Sequence, residues 1–379
     1  MITILALILA VLIVGAWHKS KTRPISATSD ISKYFDKNFV QNGEDLSEGM
    51  CEGVATETGE NPMAVTIKEN TLDTARLKPY VGEIPRKFEF RPQTFKQFIG
   101  QEEAKERAKT ILKKIRMGLR SHFLVDGIKG HGKTTYVKLI QKELGGKLIQ
   151  HIGRQINEDN IIDILNEINS SESKHVIWFV DELDSMPTKA IKILNPIIEE
   201  FMLAGKKIKP FVFAGATINK HELIKNNPDT LDRMSFHIKF AKYNAEELMQ
   251  ILVQYHKQLY SDVSIAPEQL IQISQNCKFN PRTSISLLEE FVVEQDIAKV
   301  LKNNGIVKDG LTNIDMKILD ALSQVKRMGS NALAVKVGMG EKEYLVEYEP
   351  FLVEYGYINR VPNRIIAPKG LEILRQLKG

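Results

Sequence analysis

Cysteine is nearly absent: Cys51 and Cys277 are the only two in 379 residues. They lie far apart and without metal-ligand spacing, which excludes a disulfide framework and a structural zinc site and makes a reducing compartment the default. No internal repeat is present. Neither sign of charge dominates, since 52 basic residues against 47 acidic leave a formal +5. That balance permits contact with nucleic acid or anionic lipid without demanding it. Beyond residue 17 there is no long apolar run. With 43% hydrophobic and 26% charged residues the bulk is ordinary globular protein, long enough for two or three domains.

The one long apolar run, Ile2 to Trp17, carries neither charge nor proline. Basic residues follow it, in His18-Lys19-Ser20-Lys21-Thr22-Arg23, rather than precede it. A cleaved signal peptide has the opposite order, and a buried N-terminal helix is the remaining alternative. The expectation is a single transmembrane helix over 1–17, with the rest of the chain in the cytoplasm by the positive-inside rule. Residues 18–80 are polar and aperiodic and read as a flexible tether, either a plain spacer or a docking segment.

The chain's chemistry centres on Phe123 to Thr135, FLVDGIKGHGKTT. Within it Gly127-Ile128-Lys129-Gly130-His131-Gly132-Lys133-Thr134 fits G-x-x-x-x-G-K-[ST], followed by Thr135 and an amphipathic VKLIQKEL. The glycines let backbone N–H groups close on the α/β-phosphates, Lys133 brings a cation to the β/γ-phosphates, and the Thr134 hydroxyl suits Mg²⁺. Val176 to Met186, VIWFVDELDSM, is an apolar run ending in Asp181-Glu182, as in a central parallel strand with its acidic end at the ligand edge. Asp181 is expected in the Mg²⁺ shell, with Glu182 orienting or deprotonating the attacking water. The strand PFVFAGAT ends near Thr217 and Asn219, either of which can reach the γ-phosphate or only cap the strand. Arg233 follows Leu231-Asp232 and either projects from the subunit edge or pairs with Asp229 or Asp232.

Three units follow from the pattern: an α/β ATPase domain over 81–242, a small helical unit over 243–305, and a third unit over 306–379. The second opens on a capping box, Asn244-Ala245-Glu246-Glu247. In it Arg282 of Asn280-Pro281-Arg282 either reaches back to phosphate or sits on the surface near Glu289. The third reads as a winged helix: NALAVKV, a glycine turn, EKEYLVEYEPFLVEY, then a hairpin bearing Arg360, Arg364 and Lys369. Glu341, Glu343, Glu347, Glu349 and Glu354 make the recognition helix acidic, so any DNA contact is expected from the wing.

This succession resembles the RuvB family, the ATPases of Holliday-junction branch migration, from about Phe90 to Leu377. FRPQTFKQFIGQEEAKE, the phosphate loop, Asp181-Glu182, Gly215-Ala216-Thr217, Asp232-Arg233, Asn280-Pro281-Arg282 and Tyr348-Glu349-Pro350 occur in that family's order. The resemblance implies an AAA+ P-loop domain with a helical lid and a C-terminal winged helix. It also implies ATP and Mg²⁺ as cofactors and a homo-oligomer, a hexameric ring, on duplex or branched DNA. By the same resemblance Arg91, Pro92 and Ile99 help hold the adenine, Arg282 is the lid sensor and Arg233 the finger reaching the neighbour's ATP. Four departures stand out. Glu200 to Pro210 leaves no room for the hairpin that grips RuvA, so a RuvA-type partner is doubtful. One arginine of Leu-Arg-Asp-Arg is lost. Asp184 replaces a histidine, and Ile218 replaces a threonine. The expected function is a membrane-anchored DNA motor of the branch-migration type; the alternative is an ATPase remodelling a protein complex without gripping DNA.

Overall fold

The computed structural model describes residues 90–378, apart from 219, 221–222 and 225–227. The apolar run 2–17, the tether and Asn219 therefore lie outside the described residues. In chain order the first domain comprises α1 (Glu102–Arg116), β1 (Phe123–Asp126), α2 (Lys133–Leu144), β2 (Lys147–Ile152), α3 (Ile161–Ser170), β3 (Val176–Asp181), α4 (Thr188–Glu200), β4 (Met202–Leu203), β5 (Lys206–Lys207), β6 (Val212–Thr217), α5 (Pro228–Asp232) and β7 (Phe236–Lys239).

Five strands form a parallel sheet in the order β2-β3-β6-β1-β7. Side chains alternate across it. Phe123, Val125, Ile177 and Phe179 pack under α1 and α2 with Ile111, Tyr136 and Ile140. Leu124, Trp178, Val180 and Phe213 pack under α3 and α4 with Leu165, Leu194 and Ile198. Both faces being covered is why β3 is a continuous apolar run rather than an alternating one. The order places the carboxyl ends of β1, β3 and β6 side by side, with Asp126 in register with Thr217 and Ile152 with Asp181.

The helical unit comprises α6 (Ala245–Leu259), α7 (Pro267–Gln275), α8 (Pro281–Glu294) and α9 (Ile297–Asn303). The capping box at its start is formed: Asn244 Oδ1 accepts from Glu247 N at 2.8 Å, and Glu247 Oε2 from Asn244 N at 2.9 Å. The third unit comprises β8 (Ile306–Lys308), β9 (Leu311–Thr312), α10 (Asn313–Ser323), α11 (Ser330–Val337), α12 (Glu341–Glu343), α13 (Glu349–Glu354), β10 (Ile358–Val361), β11 (Asn363–Ile366) and α14 (Pro368–Lys378). A π-turn, Tyr344–Tyr348, joins α12 to α13. β10 and β11 form the wing, and a bridge between Met328 and Arg364 extends it toward the loop after α10.

One expectation changes here. Residues 200–210 do hold a hairpin, but a minimal one: β4 and β5 are two residues each, turned by Ala204 (φ 47°) and Gly205 (φ 75°). Positive φ at both turn residues is the tight two-residue hairpin turn.

Candidate functional site: a phosphate loop between sheet and lid

The loop from β1 to α2 turns through left-handed Gly130 (φ 89°) and Gly132 (φ 91°). Gly130 is further constrained by the lid. A Cβ there would lie 2.3 Å from Asn280 Oδ1, while Asn280 Nδ2 donates to Lys129 O at 2.8 Å. The phosphate loop and the head of α8 are thus in direct contact, and Arg282 lies two residues along. Lys133 is 8% exposed and its ammonium donates to the carbonyls of Gly127 (2.6 Å) and Ile128 (3.1 Å). Burial pulls its pKa from 10.5 to about 8; Asp181, Asp126 and Asp184 oppose the shift and Arg282 adds to it. His131, 3% exposed, is pulled down to about 4, by burial first and by Lys133 second. Its ring meets Tyr243 edge-on at 5.4 Å.

Thr134 Oγ1 donates to Asp181 Oδ2 at 2.9 Å. The two expected magnesium groups are therefore adjacent, brought from α2 and β3. Among the described residues no group of three or more acidic, histidine or cysteine side chains could hold a metal alone. The Thr134–Asp181 pair itself fits Mg²⁺, which commonly takes one or two protein ligands and completes its shell with phosphate oxygens and water. Glu182 is exposed at the strand end with φ 52°, a conformation uncommon for a residue with a Cβ and concentrated at functional sites.

At the end of β6, Thr217 is 1% exposed and its hydroxyl donates to Asp184 Oδ1 at 2.5 Å. Asp184, the departure from the family's histidine, therefore faces into the site and engages Thr217. Gly215 of the same strand is there for space: a Cβ would lie 2.6 Å from Leu183 Cδ2.

The opening motif is a clasp. Gln101, left-handed at φ 57° and 5% exposed, donates to Ala241 O and accepts from Ala241 N, both at 2.8 Å. It mimics a backbone pair and ties the start of α1 to the hinge before the lid. Arg91, Pro92 and Ile99 are half-buried in this opening segment. Composition and spacing did not reveal the clasp, Asn280's contact or Asp184's partner, because all three are long-range pairings.

Arg233 pairs with neither Asp229's nor Asp232's carboxylate. Its Nε donates to Glu199 Oε2 at 2.8 Å, its Nη2 lies 2.7 Å from the same oxygen, and its Nη1 donates to Asp229 O at 2.8 Å.

On the wing, Arg364 is corrected as a DNA contact. It is 7% exposed and forks onto the carboxylate of Glu349, itself 3% exposed. An unpaired buried Glu349 would be costly, so the arginine is held inward. Glu349 consequently leaves the acidic face of the recognition helix, and Glu354 pairs with Lys242 at 3.1 Å. Lys369 is exposed, but its ammonium sits 4.2 Å from the Tyr357 ring and donates to Tyr355 O. Arg360 projects, 61% exposed and 3.6 Å from Glu349.

A P-loop on a parallel sheet, an acidic strand end beside it and a helical lid touching the loop define a nucleoside-triphosphatase, here carrying a winged helix. Residues 90–224 match the family described as the Holliday junction DNA helicase RuvB P-loop domain, and residues 308–375 match the RuvB C-terminal winged helix domain. The RuvB subunit of the branch migration complex from Lawsonia intracellularis is 30% identical over 305 residues, covering 73% of this chain and 87% of that one. Its counterpart from Mycoplasma pneumoniae is 28% identical, covering 75% and 97%. The Thermotoga maritima RuvB Holliday junction branch migration motor superposes with TM-score 0.66 at 26% identity over 75% of this chain and 98% of that structure. The chain belongs to the RuvB family and is an AAA+ ATPase.

The membrane localisation expected from residues 2–17 does not hold. Those residues lie outside the described residues. Among the described residues no helix is long and apolar enough to cross a membrane, and the relatives matched are subunits of a DNA branch migration complex.

Proposed function

We propose that this chain is an ATP-driven branch-migration motor whose ATP sits between the phosphate loop, the lid and an adjoining subunit of a homo-oligomeric ring. The observation that carries the reading is the Thr134–Asp181 pair beside Lys133 and Glu182, on the carboxyl edge of the sheet and under α8. Arg91, Pro92 and Ile99 hold the adenine, and the backbone from Gly127 to Thr135 cradles the phosphates. Lys133 and Arg282 neutralise phosphate charge. Thr134 and Asp181 would hold Mg²⁺, which would supply positive charge against the phosphates. Glu182 orients water and takes its proton. Thr217, held by Asp184, and Asn219 are the two candidates at the end of β6 for contact with the γ-phosphate. Arg233 completes the neighbouring subunit's site, and the ring is a hexamer.

Duplex or four-way-junction DNA is the substrate, contacted through Arg360. A RuvA-type partner gains little here, since β4 and β5 present only Met202, Lys206 and Lys207 to solvent. The test is the ATPase rate of the full chain with and without four-way-junction DNA across a salt series. Stimulation that weakens as salt rises is expected. A rate indifferent to DNA, with no salt-sensitive binding, moves the substrate to a protein complex.

A further inference from the structure

We infer that Glu199 is the positioning residue of Arg233, setting the angle at which the guanidinium is offered across the subunit boundary. The inference rests on the reading of Arg233 as the cation that enters the neighbouring subunit's ATP site.

The hydrogen bonds divide the guanidinium into a held part and a presented part. Glu199 Oε2 accepts from Nε and lies 2.7 Å from Nη2, and the Asp229 carbonyl accepts one proton of Nη1. A guanidinium has five N–H donors in a planar fork. These contacts leave N–H groups on Nη1 and Nη2 for an incoming phosphate oxygen pair. Held at one edge and at Nη1, the group keeps a fixed direction, and Arg233 is still 28% exposed.

Glu199 is itself anchored on both sides of its backbone. His122, fully buried, donates from Nε2 to Ile198 O at 2.8 Å and accepts at Nδ1 from Phe213 N at 2.9 Å. Arg120 donates to Glu199 O. Thr230, also fully buried, donates to Asn195 Oδ1 at 2.9 Å and ties α5, which carries Asp229, to the same helix. The last turn of α4 is thus joined to the lead-in of β1, to β6 and to α5. An ordinary exposed ion pair has no such scaffold and contributes little.

A purely local role for Glu199 would stabilise its own subunit. A positioning role acts only in the neighbour's site, and co-assembly separates the two. Glu182→Gln subunits lack a working site but present an intact Glu199–Arg233 pair. Glu199→Ala subunits have a working site but present a loose arginine. Glu199→Ala alone is expected to lower kcat about ten- to a hundredfold with KM for ATP little changed, since a misplaced group loses transition-state contact rather than binding. Glu199→Gln, which keeps one acceptor oxygen, is expected to fall between that and wild type. Co-assembled rings of Glu199→Ala with Glu182→Gln are expected to exceed the summed rates of the separate variants. Arg233→Ala with Glu182→Gln is run beside them. A gain in the Arg233 mixture without a gain in the Glu199 mixture overturns the inference and leaves the finger intact. No gain in either overturns the finger reading itself. Wild-type kcat in Glu199→Ala overturns the inference directly.

Discussion

In the proposed reading Lys133 meets phosphate as a cation, yet it is placed where charge is disfavoured. Burial brings its pKa to about 8 against 10.5 in the unfolded chain. The folded state therefore opposes the proton: the penalty is full below pH 8 and is relieved as pH rises toward 10.5. Triphosphate oxygens restore the preference for the ammonium, so binding takes up a proton wherever Lys133 is already neutral. Nucleotide affinity should be level up to about pH 8 and then fall by up to roughly tenfold per pH unit. Titration with ATP from pH 7 to 9.5 reads this directly, and an affinity flat across that range contradicts the assignment. The neighbouring loop residue His131 is neutral through the same interval, because its own pKa lies near 4. The lysine was legible from the spacing of the loop. Its depressed pKa was not, since it arises from enclosure that only the fold supplies.

The element on which most depends is α4. It begins at Thr188, just past Asp181-Glu182, and ends at Glu199–Glu200 beside Arg233. His122 fixes its last turn to the sheet in one tautomer, donating at Nε2 and accepting at Nδ1. Protonation would remove the acceptor, and burial lowers the pKa to about 4. With the folded value below the unfolded 6.5, the contribution of neutral His122 is complete above pH 6.5. It is lost as pH falls from 6.5 toward 4, by up to about 3 kcal/mol. Urea unfolding at pH 7 and pH 5 should show this loss, and a His122→Gln variant should be less stable at pH 7 and less sensitive to acid. An identical pH slope in the variant would remove His122 from the account. The strands β1, β3 and β6 were readable as apolar runs because both faces are covered. The β4–β5 hairpin was not, because two-residue arms carry no periodicity.

Across the whole molecule the winged helix packs on the lid. Phe279 stacks on Tyr355 at 4.7 Å, and Lys278 reaches the fully buried Asp315 at 2.5 Å. Two arginines of the wing are held differently there: Arg364 is buried on Glu349 and Arg360 is exposed. Arg364→Ala leaves Glu349 buried without its partner and should destabilise this domain by roughly 3–5 kcal/mol, seen as an early unfolding step. Arg360→Ala should leave thermal unfolding unchanged and weaken DNA binding, with a shallower salt dependence by about one unit. Equal effects of the two on unfolding would erase the distinction. Both arginines look alike in sequence; what separates them is a glutamate on another element. By itself the sequence determined the phosphate loop, the acidic strand end, the order of the three units and the family, since each depends on local spacing. The tertiary structure decided which polar groups are held and by what: Arg364 by Glu349, Thr217 by Asp184, Arg233 by Glu199. Pairing between such residues is set by the packing of elements against one another, and the partners here lie 15, 33 and 34 residues apart.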